Sequence, residues 1–98
     1  MSVHEIEFYW RPGCGFCMSL QRPLESSGLP VRAVNIWEDP DGAARVRSVA
    51  GGNEIVPTVF VGDRALVNPT FAEVEDAVRE AAPELLDATG AEDPGPQR

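Results

Sequence analysis

An α/β fold, a four-stranded mixed sheet with helices on both faces, is predicted by three observations. Apolar residues switch along the chain between a period of two and a period of three to four, in the order β-α-β-α-β-β-α. Gly or Pro residues punctuate most of the switches. Early strands are separated by helices, as in two βαβ-type crossovers, while the last two are separated only by Gly62-Asp63, a two-residue hairpin turn, so the sheet should be mixed rather than wholly parallel. The chain has 98 residues, 43% apolar and 24% charged. That suffices for one domain burying about two-thirds of the surface its unfolded chain exposes.

The first strand is predicted from alternation over residues 3 to 10, with Ile6, Phe8 and Trp10 on one side and Glu5, Glu7 and Tyr9 on the other, the period of a half-covered strand. Arg11-Pro12-Gly13 ends it and turns the chain. Phe16, Cys17, Leu20 and Leu24 then mark one buried stripe of a helix stopping near Gly28, with a kink expected at the interior Pro23. Val31 to Ile36 reads as the second strand, with a core face that its mixed parity leaves undecided. Asp39-Pro40 is a helix start, an N-cap acceptor followed by a residue whose missing N–H costs nothing in the first turn. Ala43, Val46, Val49 and Ala50 supply that helix's apolar face, and Gly51-Gly52 stops it. Pro57 to Val61 and Ala65 to Val67 form the hairpin. Thr70-Phe71-Ala72-Glu73 is a capping box opening the last helix, with Phe71, Val74, Val78 and Ala81 on one face. Residues 1–86 are expected to form the domain. Residues 87–98, acidic and nearly devoid of apolar side chains, are expected to be a disordered tail.

Sixteen acidic residues face eight basic ones, all arginine, for a net charge of -8. Phosphate-backbone binding needs a basic face, so no nucleic-acid partner is expected. No run of 18 apolar residues occurs and residues 1 to 10 lack a basic and apolar leader pattern, so the expected setting is the cytoplasm, with no membrane partner. In a reducing compartment, two cysteines three apart, Cys14 and Cys17, point to redox chemistry or metal binding before a structural bridge. A closed zinc site takes four ligands. The chain offers these two and the single His4, which the strand carries to the far end of the sheet, so no metal site is expected within one chain.

Cys14 falls where a strand-to-helix turn meets the positive pole and free N–H groups of the helix, a place that stabilises a thiolate. Cys17, one turn further along, is within reach and more enclosed. The pair therefore reads as an attacking and a resolving thiol. Arg11 is the nearest cation in sequence. Pro57 at a strand start marks an edge, a first position or a special bend.

The segments Tyr9-Trp10-Arg11-Pro12-Gly13-Cys14-Gly15-Phe16-Cys17, Gly51-Gly52-Asn53, Val56-Pro57-Thr58 and Asn68-Pro69 together resemble the glutaredoxin family of the thioredoxin fold, most closely its mycoredoxin-like branch. The likeness covers about residues 4 to 82. It implies a cytoplasmic thiol–disulfide oxidoreductase that reduces protein mixed disulfides as a single chain, with mycothiol favoured over glutathione as co-substrate and no bound cofactor. The absence of lysine beside abundant Ala, Gly, Pro, Arg and Val agrees with a GC-rich genome, where such thiols are used. It further implies a cis Pro57 facing the cysteines, a Val56 backbone that pairs with substrate, and a place for the small thiol's polar end at Asn68, Pro69 and Thr70, with Arg11 before the motif and Phe16 within it as further thiol-binding residues. Three departures stand out. Gly15-Phe16 replaces the Pro-Tyr of the commonest dithiol members and matches the cluster-carrying monothiol branch, which keeps an iron–sulfur carrier as the alternative function. Gly13 stands where mycoredoxins often have Trp. Arg11 takes the place of a lysine common near the motif.

Overall fold

A computed structural model describes residues 4–87. The elements are β1 (Ile6–Trp10), α1 (Gly15–Ser26), β2 (Val31–Asn35), α2 (Pro40–Val49), β3 (Thr58–Val61), β4 (Arg64–Val67), α3 (Phe71–Ala81) and a short α4 (Glu84–Asp87) that sequence periodicity did not indicate. The four strands form one sheet in the order β2-β1-β3-β4. β1 and β2 are parallel, β1 and β3 antiparallel, and β3 and β4 antiparallel. The mixed sheet is as expected, but only the first crossover is a parallel βαβ unit. The second carries the chain past β1 and brings β3 in head to tail against it.

Two apolar clusters lie on opposite faces. On one, Ile6, Phe8, Val59 and Val61 of the sheet meet Cys17, Leu20 and Leu24 of α1, Val74, Ala77 and Val78 of α3, and Leu85 of α4. On the other, Tyr9, Val34, Ile36 and Phe60 meet Ala43 and Val46 of α2. Both faces of β1 are therefore covered where it crosses the sheet centre. Tyr9, assigned by alternation to an open side, is 3% exposed. The core face of β2 is settled by Val34 and Ile36, which pack under α2.

The helix signals act as read. Asp39 Oδ1 accepts the Gly42 N–H at 3.0 Å, with Pro40 in the first turn. Thr70 and Glu73 exchange both capping-box bonds. Gly28 follows the α1 cap residue Ser27 with φ +78°, the left-handed conformation that glycine adopts freely. The helix α1 continues through Pro23 to Ser26. Three facing assignments need correction. Phe16 is 71% exposed, because it lies about 100° round the helix from Cys17, which faces the sheet. Val49, the last residue of α2, is 37% exposed at the helix edge, and the buried side is Gly42, Ala43 and Val46. Ala81 is exposed while Ala77 and Ala82 are buried, since four residues beyond Val78 return to the core side and three do not. Of the tail expected over 87–98, Asp87 closes α4 and the rest lies outside the described residues.

Candidate active site

The registers explain why the chemistry collects at one sheet edge. Trp10 pairs with Asn35, Tyr9 with Thr58, and Thr58 with Val67. The carboxyl ends of β1, β2 and β4 and the amino end of β3 thus share one edge, and each runs into a loop there. Cys14 follows β1, Pro57 precedes β3, and Asn68 follows β4. His4 precedes β1 and belongs to the opposite edge, where it is exposed.

Cys14 is the N-cap of α1, with extended backbone angles (φ -96°, ψ 106°), and its Sγ accepts the Cys17 N–H at 3.1 Å. No acidic residue occupies the first turn of this helix, so no side-chain anion there opposes a negative charge on the sulfur. Cys14 and Cys17 form a disulfide with Cα atoms 5.2 Å apart. Cys14 is 6% exposed and Cys17 2%. Both residues are buried, Cys14 slightly less so. The Val56-Pro57 peptide is cis. The Val56 carbonyl oxygen lies 3.7 Å from Cys14 Sγ, in reach of an S–H donor in the dithiol form. Asn68, at φ +52°, donates its N–H to the Pro57 carbonyl at 2.8 Å, tying the bend before β3 to the loop before α3.

A cleft of about 280 Å³ opens beside the motif, between the first turns of α1 and the amino end of α3. Phe16, Ser19, Leu20 and Pro23 form one wall, and Asn68, Pro69, Thr70 and Phe71 the other. Of the residues singled out from the sequence, Cys14, Cys17, Val56 and Pro57 therefore come together, and Phe16, Asn68, Pro69 and Thr70 share the adjoining cleft. The exposure of Phe16 is what lets it line that cleft. Arg11 is the exception. Its guanidinium sits over the Trp37 ring, 5.8 Å from the centroid, and donates to the Pro12 carbonyl at 3.2 Å, so the groups it engages are that ring and that carbonyl. Among the described residues, no three His, Cys, Asp or Glu side chains gather into a metal site. No helix among them is long and apolar enough to cross a membrane.

Sequence reading missed Trp37 and Ile55, 64% and 38% exposed, at this same edge. Periodicity gave them no role, and only the strand order reveals their position.

The sequence model of the glutaredoxin family matches residues 6–66. A Mycobacterium tuberculosis protein named "putative glutaredoxin" is 35% identical over 76 residues, covering 76% of this chain and 90% of that protein. Mycoredoxin 1 of Corynebacterium glutamicum is 33% identical over 73 residues, covering 74% and 90%. Among solved structures, a glutaredoxin from Archaeoglobus fulgidus superposes with a TM-score of 0.66 over 78% of this chain and 87% of that one at 21% identity, which supports the thioredoxin-like fold. A C-x-x-C pair at a helix start is shared by several redox families, and these matches decide among them: the chain belongs to the glutaredoxin family, whose members are thiol–disulfide oxidoreductases.

Proposed function

We propose that this protein removes a low-molecular-weight thiol from protein mixed disulfides, with Cys14 as nucleophile and Cys17 as resolving thiol, and that mycothiol is preferred to glutathione. Glutaredoxins act on disulfide substrates with a low-molecular-weight thiol as co-substrate. The observation that carries the residue roles is the position of Cys14 at the N-cap of α1 with the Cys17 N–H directed at its sulfur. In the dithiol form that N–H and the helix pole favour the Cys14 thiolate. The thiolate attacks the small thiol's sulfur. A bond forms between the two, the bond to the protein sulfur breaks, and the electron pair leaves on the protein thiolate, which takes a proton from solvent. A second small thiol then attacks the small thiol's sulfur in the adduct, releasing the Cys14 thiolate and forming the symmetrical small-thiol disulfide, or Cys17 attacks Cys14 Sγ, closing the internal disulfide and expelling the small thiol, so that Cys14 awaits a later reduction.

The cleft of Phe16, Asn68, Pro69 and Thr70 suits the small thiol: an aromatic wall on one side, and on the other a helix amino end whose N–H groups favour a polar or anionic tip. The Val56 backbone beside Pro57 is assigned to pair with the substrate. Preference for mycothiol is supported by the likeness to Mycoredoxin 1. It is supported also by the Gly51-Gly52-Asn53 and Asn68-Pro69 segments and the lysine-free composition. Residues 1–86 act as the working domain, as a single chain in the cytoplasm.

The test is reduction of the Cys14 adduct. Turnover of a mycothiol-blocked protein with mycothiol as reductant should exceed by tenfold or more that of the glutathione-blocked protein with glutathione, and should vanish in Cys14→Ser. Equal or faster turnover with glutathione would overturn the thiol assignment.

A further inference from the structure

The strand order places Cys14, which follows β1, and Pro57, which precedes β3, in the middle of the functional edge. The cleft at Asn68–Thr70 lies on the β4 flank, and the opposite flank, beyond β2, is occupied by Trp37. That residue is fixed without being covered. Its N–H bonds the Asn35 side-chain oxygen at 2.9 Å, the Glu38 N–H bonds the Asn35 carbonyl at 3.0 Å, and the preceding Ile36 is 4% exposed and donates its N–H to Trp10 at 2.9 Å. The indole itself is 64% exposed, with the Arg11 guanidinium over it. A tight turn thus holds an aromatic ring out into solvent, against Arg11 of the loop that leads to the nucleophile, at a cost in exposed apolar surface. Ile55, immediately before the Val56-Pro57 bend, is a second apolar side chain exposed at this end of the sheet.

We propose that Trp37 is a specificity residue that selects the protein half of the mixed disulfide, by taking an apolar side chain next to the substrate cysteine onto its open indole surface. This rests on the mixed-disulfide reductase reading above. A mixed disulfide has two unlike halves diverging from one S–S bond. The cleft of about 280 Å³ between α1 and the Asn68–Thr70 segment after β4 is of a size for the small half, which leaves the larger half the β2 side. A Trp on a hydrogen-bonded turn beside an arginine is the kind of side chain that contributes strongly to a contact, through large apolar area with few rotatable bonds to order. The partner is therefore a polypeptide segment with an aliphatic or aromatic residue beside the blocked cysteine.

The experiment uses two peptides that differ only in having Leu or Gly next to a mycothiol-blocked cysteine, each reduced by the prereduced full-length protein, with stopped-flow rates giving the Leu-to-Gly preference. The wild-type protein should prefer the Leu peptide by about tenfold, a difference of about 1.4 kcal/mol. Trp37→Ala should bring the ratio to near one, and Trp37→Phe should keep most of it. A ratio near one in the wild type, or one unchanged in Trp37→Ala, would overturn the inference alone. Reduction of neither peptide, with mycothiol or with glutathione as the blocking group, would overturn the reductase reading and this inference with it.

Discussion

At Cys14 the division of labour between backbone and side chain is plain. The sulfur takes the Cys17 N–H at 3.1 Å, whereas Arg11 is spent on the Trp37 ring and the Pro12 carbonyl. The chain has no lysine to substitute for it. Arg11→Ala should consequently leave the pH dependence of Cys14 alkylation nearly unchanged in the reduced protein, measured by the rate of iodoacetamide labelling; a large upward displacement would mean that the guanidinium swings to the thiolate on reduction. Tyr9 carries a different residue-scale effect. Burial, then its hydrogen bond to Glu7 and that carboxylate's charge, raise the hydroxyl's pKa above 10.0, against the downward pull of Arg45 and Arg32. The raised value means that the fold holds the neutral form. Its contribution to stability is complete below the unfolded value and is lost as pH rises from there through the folded one. It is the chain's single tyrosine, no lysine titrates nearby, and disulfide cysteines do not titrate. The oxidised protein should lose stability above about pH 10 in a step that Tyr9→Phe lacks, read as urea midpoints between about pH 9 and 11.5.

Among the elements, α2 shows how closely a helix can be set on the sheet when glycine faces it. A Cβ at Gly42 would lie 2.8 Å from Val34 Cγ1 and 3.3 Å from Tyr9 Cε2. Val34 is β-branched, so its methyl has little freedom to move aside. Gly42→Ala should therefore destabilise the protein by about 1 kcal/mol net, since overpacking costs about 1–3 kcal/mol and the better helix propensity of Ala returns only about 1 kcal/mol of it. A urea midpoint at or above wild type would show that α2 can shift outward freely. This close approach was not legible in the sequence, where Gly42 reads only as a weak point in a helix. Signals that act within one turn of chain were legible: Asp39-Pro40, the Thr70–Glu73 box and Gly28 all rest on bonds or dihedrals spanning a few residues. The facings of Phe16, Val49 and Ala81 were not, since they lie at helix ends, where a 3.6-residue period does not tell a three-step from a four-step.

Over the whole molecule, the mixed sheet and the cysteine pair could be read from the chain, but the direction of β3 could not. Alternation is the same for a strand run either way, and only pairing with β1 fixes it. That direction is what brings Val56 and Pro57 to the sheet edge that carries Cys14. It also sets the order of the flanks, with Trp37 on one side of the nucleophile and the Asn68–Thr70 cleft on the other. The central claim is that Cys14, not Cys17, receives the small thiol. It is tested most directly by mass spectrometry of Cys17→Ser after reaction with a mycothiol-blocked protein. The account predicts one mycothiol on Cys14, with the protein substrate released as free thiol; a Cys14 that stays unmodified, or substrate protein rather than mycothiol captured on it, would contradict the account.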